Sequence, residues 1–122
     1  MKTLLITTLL GLTLASTGCA ARSAEMYRDD TRKLLESKQG AIQDCYNDVL
    51  KQERTAGGKV VVRFTVKSDT GVIADAKVDK AQSTGSKGLG QCIVKAIEGL
   101  TLDPADERDG DATFTWEFQA QG

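Results

Sequence analysis

Between Lys59 and Lys67 the chain alternates strictly, with Val60, Val62, Phe64 and Val66 on one side and Val61, Arg63, Thr65 and Lys67 on the other. A period of two, rich in β-branched residues, predicts a strand. Ser68-Asp69-Thr70-Gly71 follows as a turn, with Gly71 free to take positive φ. Alternation resumes from Val72 to Lys80, setting Val72, Ala74, Ala76 and Val78 against Ile73, Asp75, Lys77 and Asp79. Two such runs around a short turn predict a β-hairpin. A third strand is predicted at Thr113 to Gln119, where Phe114, Trp116 and Phe118 form an aromatic core face against Thr113, Thr115, Glu117 and Gln119.

Two stretches repeat at helical spacing instead. Ile42, Cys45, Tyr46 and Val49 fall at i, i+3, i+4 and i+7, and Leu34 and Leu35 extend the pattern back to Thr31. Gly40 is a weak point where this helix is expected to break or kink, and Gly57-Gly58 stops it. Leu89, Cys92, Ile93, Ala96 and Ile97 form a second apolar helical face after a Gly/Ser loop, ended near Gly99. Asp103 to Asp111 is predicted to be a solvated acidic loop.

The element order is therefore α-β-β-α-β. The second helix returns the chain to the starting end, so the third strand runs antiparallel to the first and lies beside it. The expected fold is α+β: a two-layer sandwich with a three-stranded antiparallel sheet in the order 2-1-3 and two helices on one face. The valine-rich first strand takes the centre, the face bearing Arg63, Thr65, Lys67, Asp75 and Lys77 meets solvent, and the outer strands are the edges.

The N-terminus changes this picture. Lys2 precedes an apolar run from Thr3 to Ala15, too short to cross a membrane but suited to a secretory signal. Ser16-Thr17-Gly18-Cys19 resembles the lipobox of bacterial lipoproteins, although Ser16 stands where that motif usually has leucine. The expected organisation is a signal peptide over 1–18, a lipidated tether over 19–30 beginning at Cys19, and one domain over 31–122. The alternative is a plain signal cleaved near Ala15 or Ala20, leaving a soluble periplasmic or secreted protein. Of three cysteines, lipidation of Cys19 leaves Cys45 and Cys92, one on each apolar helix face. In an oxidising compartment these are expected to form a disulfide, and in a reducing one they would be two buried thiols.

Composition narrows the function classes. The net charge is -1, and no basic excess points to nucleic acid. The chain has no His, which removes the commonest general base and metal ligand. No CxxC motif is present, and apolar surroundings disfavour a thiolate at Cys45 or Cys92. The acids from Asp103 to Asp111 lack calcium-loop spacing. No catalytic residue, metal or cofactor is expected.

Ile42 to Phe118 resembles the AgmX/PglI C-terminal domain, a TonB-like domain of myxobacterial type. The resemblance rests on Cys45-Tyr46, the Gly-x-Val-x-Val-x-Phe-x-Val run from Gly58 to Val66, Gly71-Val72, Cys92-Ile93, and Phe114-x-Trp116-x-Phe118. Where that family has an aromatic-Pro pair, this chain has Leu100-Thr101-Leu102-Asp103-Pro104. The resemblance implies a periplasmic interaction domain with no catalytic residues. The expected function is thus a non-enzymatic, lipid-tethered binding module facing the periplasm from the outer membrane. Its expected partner is an envelope protein or peptide, held dynamically or as a static structural attachment. The third strand, with Thr113, Thr115 and Glu117 on its polar face, is the candidate edge for an extended peptide. The second strand carries Asp75, Lys77, Asp79 and Lys80, charges that guard an edge.

Overall fold

The computed structural model describes residues 22–119. Cys19 and the 1–18 segment lie outside them. The elements are α1 (Ala24–Glu36), α2 (Gln39–Leu50), β1 (Gly58–Val66), β2 (Ile73–Val78), α3 (Lys87–Ile97) and β3 (Gly110–Phe118). The sheet is ordered β2-β1-β3, with both pairs antiparallel. The α+β class and the strand order are those the alternation predicted.

One helix begins earlier than expected. Residues 24–30, taken as tether, form the first two turns of α1. Ser23 caps it, its Oγ accepting the Met26 N–H at 3.1 Å, and Glu25 sits in the favoured first turn. Tyr27, Thr31 and Leu35 form a narrow buried stripe four residues apart. The break falls at Ser37-Lys38 rather than at Gly40. There Lys38 N–H bonds the Leu35 carbonyl three residues back, a tighter turn that ends the α-helical ladder. Gly40 lies exposed inside the first turn of α2.

The core lies between the helices and one sheet face. Val60, Val62, Phe64 and Val66 of β1 meet Leu89, Ile93 and Ile97 of α3, and Ile42 and Tyr46 of α2 join them. Each of these aliphatic side chains contributes about 1.5–3 kcal/mol by leaving water. Cys45 and Cys92 are joined by a disulfide, with Cα atoms 5.8 Å apart, which clamps α2 to α3.

In β2 the alternation does not hold. Val62 pairs with Val78 and Arg63 with Lys77, but Thr65 pairs with Ala74 and Val66 with Ile73. One extra residue on β2 opposes Phe64, a β-bulge. Asp75 supplies it in the left-handed region, at φ 56. The slip exchanges the faces before the bulge: Ile73, expected to face out, is fully buried, and Val72 instead bridges Thr101, while Ala76 stays buried and Lys77 exposed as the alternation predicted. Gly71, at φ 75, has no room for a Cβ beside the Leu102 carbonyl. Leu102 is buried.

The acidic loop is not uniformly solvated. Asp106 is 2% exposed. Its Oδ2 accepts the backbone N–H of Arg22 at 2.8 Å, and the Arg22 guanidinium bonds Asp30 and the Pro104 carbonyl, both at 2.7 Å. Asp109 accepts the Ser68 N–H at 2.7 Å, and Asp111 the Thr65 hydroxyl at 3.1 Å. The start of α1 and the 104–111 segment are thereby tied together.

Candidate functional site

The two sheet edges differ. Asp79 N–H donates to the Val61 carbonyl, and the Lys59 carbonyl accepts from Thr84 and Gly85, so odd-numbered residues of β1 turn their backbone groups away from β3. The even-numbered residues turn toward β3. There Val60, Val62 and Phe64 are in register with Trp116, Phe114 and Ala112. In an antiparallel pair each residue points both backbone groups to the same side. Asp111, Thr113, Thr115 and Glu117 therefore direct their N–H and C=O groups outward. Among the described residues, no backbone hydrogen bond joins these outward groups to another segment.

The β2 edge is obstructed. Ile73 N–H donates outward to the Leu100 carbonyl at 2.8 Å, and Gly99 N–H donates to the Ile73 carbonyl at 3.1 Å. The segment after α3 therefore lies along the start of β2, and the Asp75 bulge distorts its middle. Bulges and covering loops both block strand addition. β3 runs nine residues with regular register throughout. It begins three residues earlier than predicted, at Gly110, and so carries Asp111 as well as Glu117.

Thr113, Thr115 and Glu117 are exposed on the sheet face away from the helices, while Phe114, Trp116 and Phe118 are half-buried on the helix side. Tyr46 stacks on Phe118 with ring centroids 4.8 Å apart, and its hydroxyl is 2.7 Å from both the Ala56 and Gln119 carbonyls. It carries one proton, so it donates to one of them at a time. These contacts hold the end of β3 against α2.

A groove of about 530 Å³ opens between α1 and the start of β3. Tyr27, Thr31, Phe64 and Phe114 line it. Gly110 leaves space for the Tyr27 ring, which a Cβ would strike. Burial pushes the Tyr27 hydroxyl pKa up, and the nearby Asp106 carboxylate adds to this. The sequence pattern alone missed this groove, because Tyr27, which starts the stripe that forms one wall, lies where a tether was expected. The Ser23 cap was the available signal.

Among the described residues no cluster of His, Cys, Asp or Glu could hold a metal ion, and no helix is long and apolar enough to cross a membrane.

No family model and no curated protein sequence matches the chain. Its fold is similar to the solution structure of the TonB C-terminal domain of Helicobacter pylori (residues 179–285), with a TM-score of 0.54 and 21% identity. The match covers 84% of this chain and 99% of that one. The chain thus has a TonB C-terminal-like fold.

Proposed function

We propose that the chain is a non-enzymatic envelope lipoprotein whose domain captures an extended segment of a protein partner by pairing it with the outer edge of β3. It is anchored through Cys19, faces the periplasm from the outer membrane, and acts as a binding module of the TonB-like, AgmX/PglI type. The observation that carries this reading is the asymmetry of the edges: β3 is open over nine residues, and β2 is bulged and overlain. Main-chain hydrogen bonds supply affinity in such pairing, and alternate side chains supply specificity. The disulfide fits an oxidising compartment.

The edge is tested by selecting displayed ten-residue peptides on the mature protein and measuring the affinity of those enriched. Thr115→Pro removes an outward N–H without touching the β1–β3 ladder. Paired Thr113→Lys and Thr115→Lys changes set charges along the edge and keep every backbone group. Both variants should keep the fold by circular dichroism and weaken binding about ten-fold or more, Thr115→Pro through a lost main-chain hydrogen bond and the lysine pair through charges that disfavour strand addition. Full affinity in both folded variants would exclude this edge.

The anchor is tested separately. A fatty-acid probe should label the wild-type protein in growing cells, and Cys19→Ala should abolish the label. Unlabelled wild-type protein in the soluble fraction would favour the plain signal.

A further inference from the structure

The α1–β3 groove is continuous with the open edge, because Thr113 and Phe114 belong to both. Its floor is apolar, formed by Phe64, Val66 and Ala112. Its rim is cationic: Arg28, Arg32 and Arg108 line it against a single acid, Asp111, whose carboxylate accepts from Thr65. The three guanidiniums differ. Arg32 is paired with Asp29 at 3.0 Å across one turn of α1. Arg108 lies over the Tyr27 ring, 5.5 Å from its centroid, and is held by Asp106 and the Arg22 carbonyl. Arg28 is exposed and has no partner among the described residues. Inside the groove, Thr31 is 5% exposed, and its hydroxyl is buried with no hydrogen-bond partner. An unpaired buried hydroxyl beside an unpaired guanidinium marks a site able to take a polar, anionic group.

We propose that this groove sets the specificity of the β3 edge by accepting an acidic and an apolar side chain from the same extended peptide. The proposal rests on the edge-pairing reading given above. A strand added outside β3 would send every second side chain to the helix side. Two residues at i and i+2 of the peptide would then reach the groove mouth together. The apolar one packs against Phe114 and Ala112, and the carboxylate meets Arg28. An extended peptide suits the site better than a free small acid, because the groove adjoins a row of outward backbone groups that another extended backbone can pair in register.

The probe is the displayed ten-residue library selected on the mature, oxidised protein. Enriched sequences should carry Asp or Glu two residues from an apolar residue. A synthetic peptide of that class and its Gln or Asn counterpart are then titrated against wild type, Arg28→Glu and Thr115→Pro. Wild type should prefer the acidic peptide by about ten-fold. Arg28→Glu should erase or reverse that preference, weakening the acidic peptide far more than its amide counterpart. Thr115→Pro should weaken both peptides together. An unchanged acidic preference in Arg28→Glu, with both peptides still lost in Thr115→Pro, would overturn the groove proposal and leave the edge intact. Retention of both peptides by Thr115→Pro would instead remove the edge. Enrichment with no acidic bias would also overturn the groove proposal.

Discussion

Replacing Cys45 and Cys92 together by alanine should lower the stability of the domain by about 4 kcal/mol. The bridge spans a sequence separation of 47 residues and joins two helices whose other contacts, among the described residues, include side-chain packing in the core. Cross-linking so long a loop removes much of the unfolded chain's freedom. Cys45 is also a core residue, 3% exposed, so alanine there adds a small loss of packing. A domain of this size has only about 5–15 kcal/mol in total, so the change is large. The melting temperature should fall by about 15–30 °C. Urea melts of the oxidised protein, the reduced protein and the double variant would measure it. A loss below about 1 kcal/mol would mean that side-chain packing alone fixes α2 against α3.

Asp106→Ala should cost about 3 kcal/mol, the range for breaking a buried charge pair. Burial alone would raise the Asp106 pKa. The backbone N–H groups of Arg22 and Arg108 and the Arg108 charge outweigh it and hold the carboxyl below its ordinary value of 3.8. The folded state therefore binds that proton less readily than the unfolded chain. Its contribution is complete above the unfolded value and is lost as the pH falls through the lower folded one. Asp109, held low chiefly by the Ser68 N–H, acts in the same direction. Wild type should lose stability steeply below about pH 4, and Asp106→Asn should be weaker at pH 7 with a shallower acid limb. An acid limb equally steep in Asp106→Asn would move the effect to other carboxylates.

Much of the fold could be read along the chain because β1 and α3 have unambiguous periods. Val60, Val62, Phe64 and Val66 can form only one strand face, and Leu89, Ile93 and Ile97 only one helix stripe. Strand order followed from connectivity, and the disulfide from two cysteines on facing stripes. What the pattern missed depends on single residues whose environment is set from afar. Asp75 looks like any polar strand residue until its φ is known, yet it turns Ile73 at the start of β2 onto the core face. Tyr27 stands among small and charged residues, so the start of α1 reads as polar chain although the helix, once formed, is amphipathic. Asp106 sits in an acidic run and is singled out largely by Arg22, 84 residues away. The candidate edge was legible as a strand with few charges. Its contrast with the β2 edge was not, because that depends on where Gly99 and Leu100 run beside β2.

The central claim is that the outward backbone groups of β3 receive the partner. Amide hydrogen exchange at Thr113, Thr115 and Glu117 tests it most directly, in the mature protein alone and when saturated with a peptide from the displayed library. In the free protein these three amides should exchange quickly, while those of Phe114 and Trp116, in register with β1, stay protected. Bound peptide should slow alternate amides along this edge, Thr113, Thr115 and Glu117, by about ten-fold or more and leave Phe114 and Trp116 unchanged. Bound peptide that leaves all three exchanging at their free rates, with protection appearing elsewhere, would contradict the assignment.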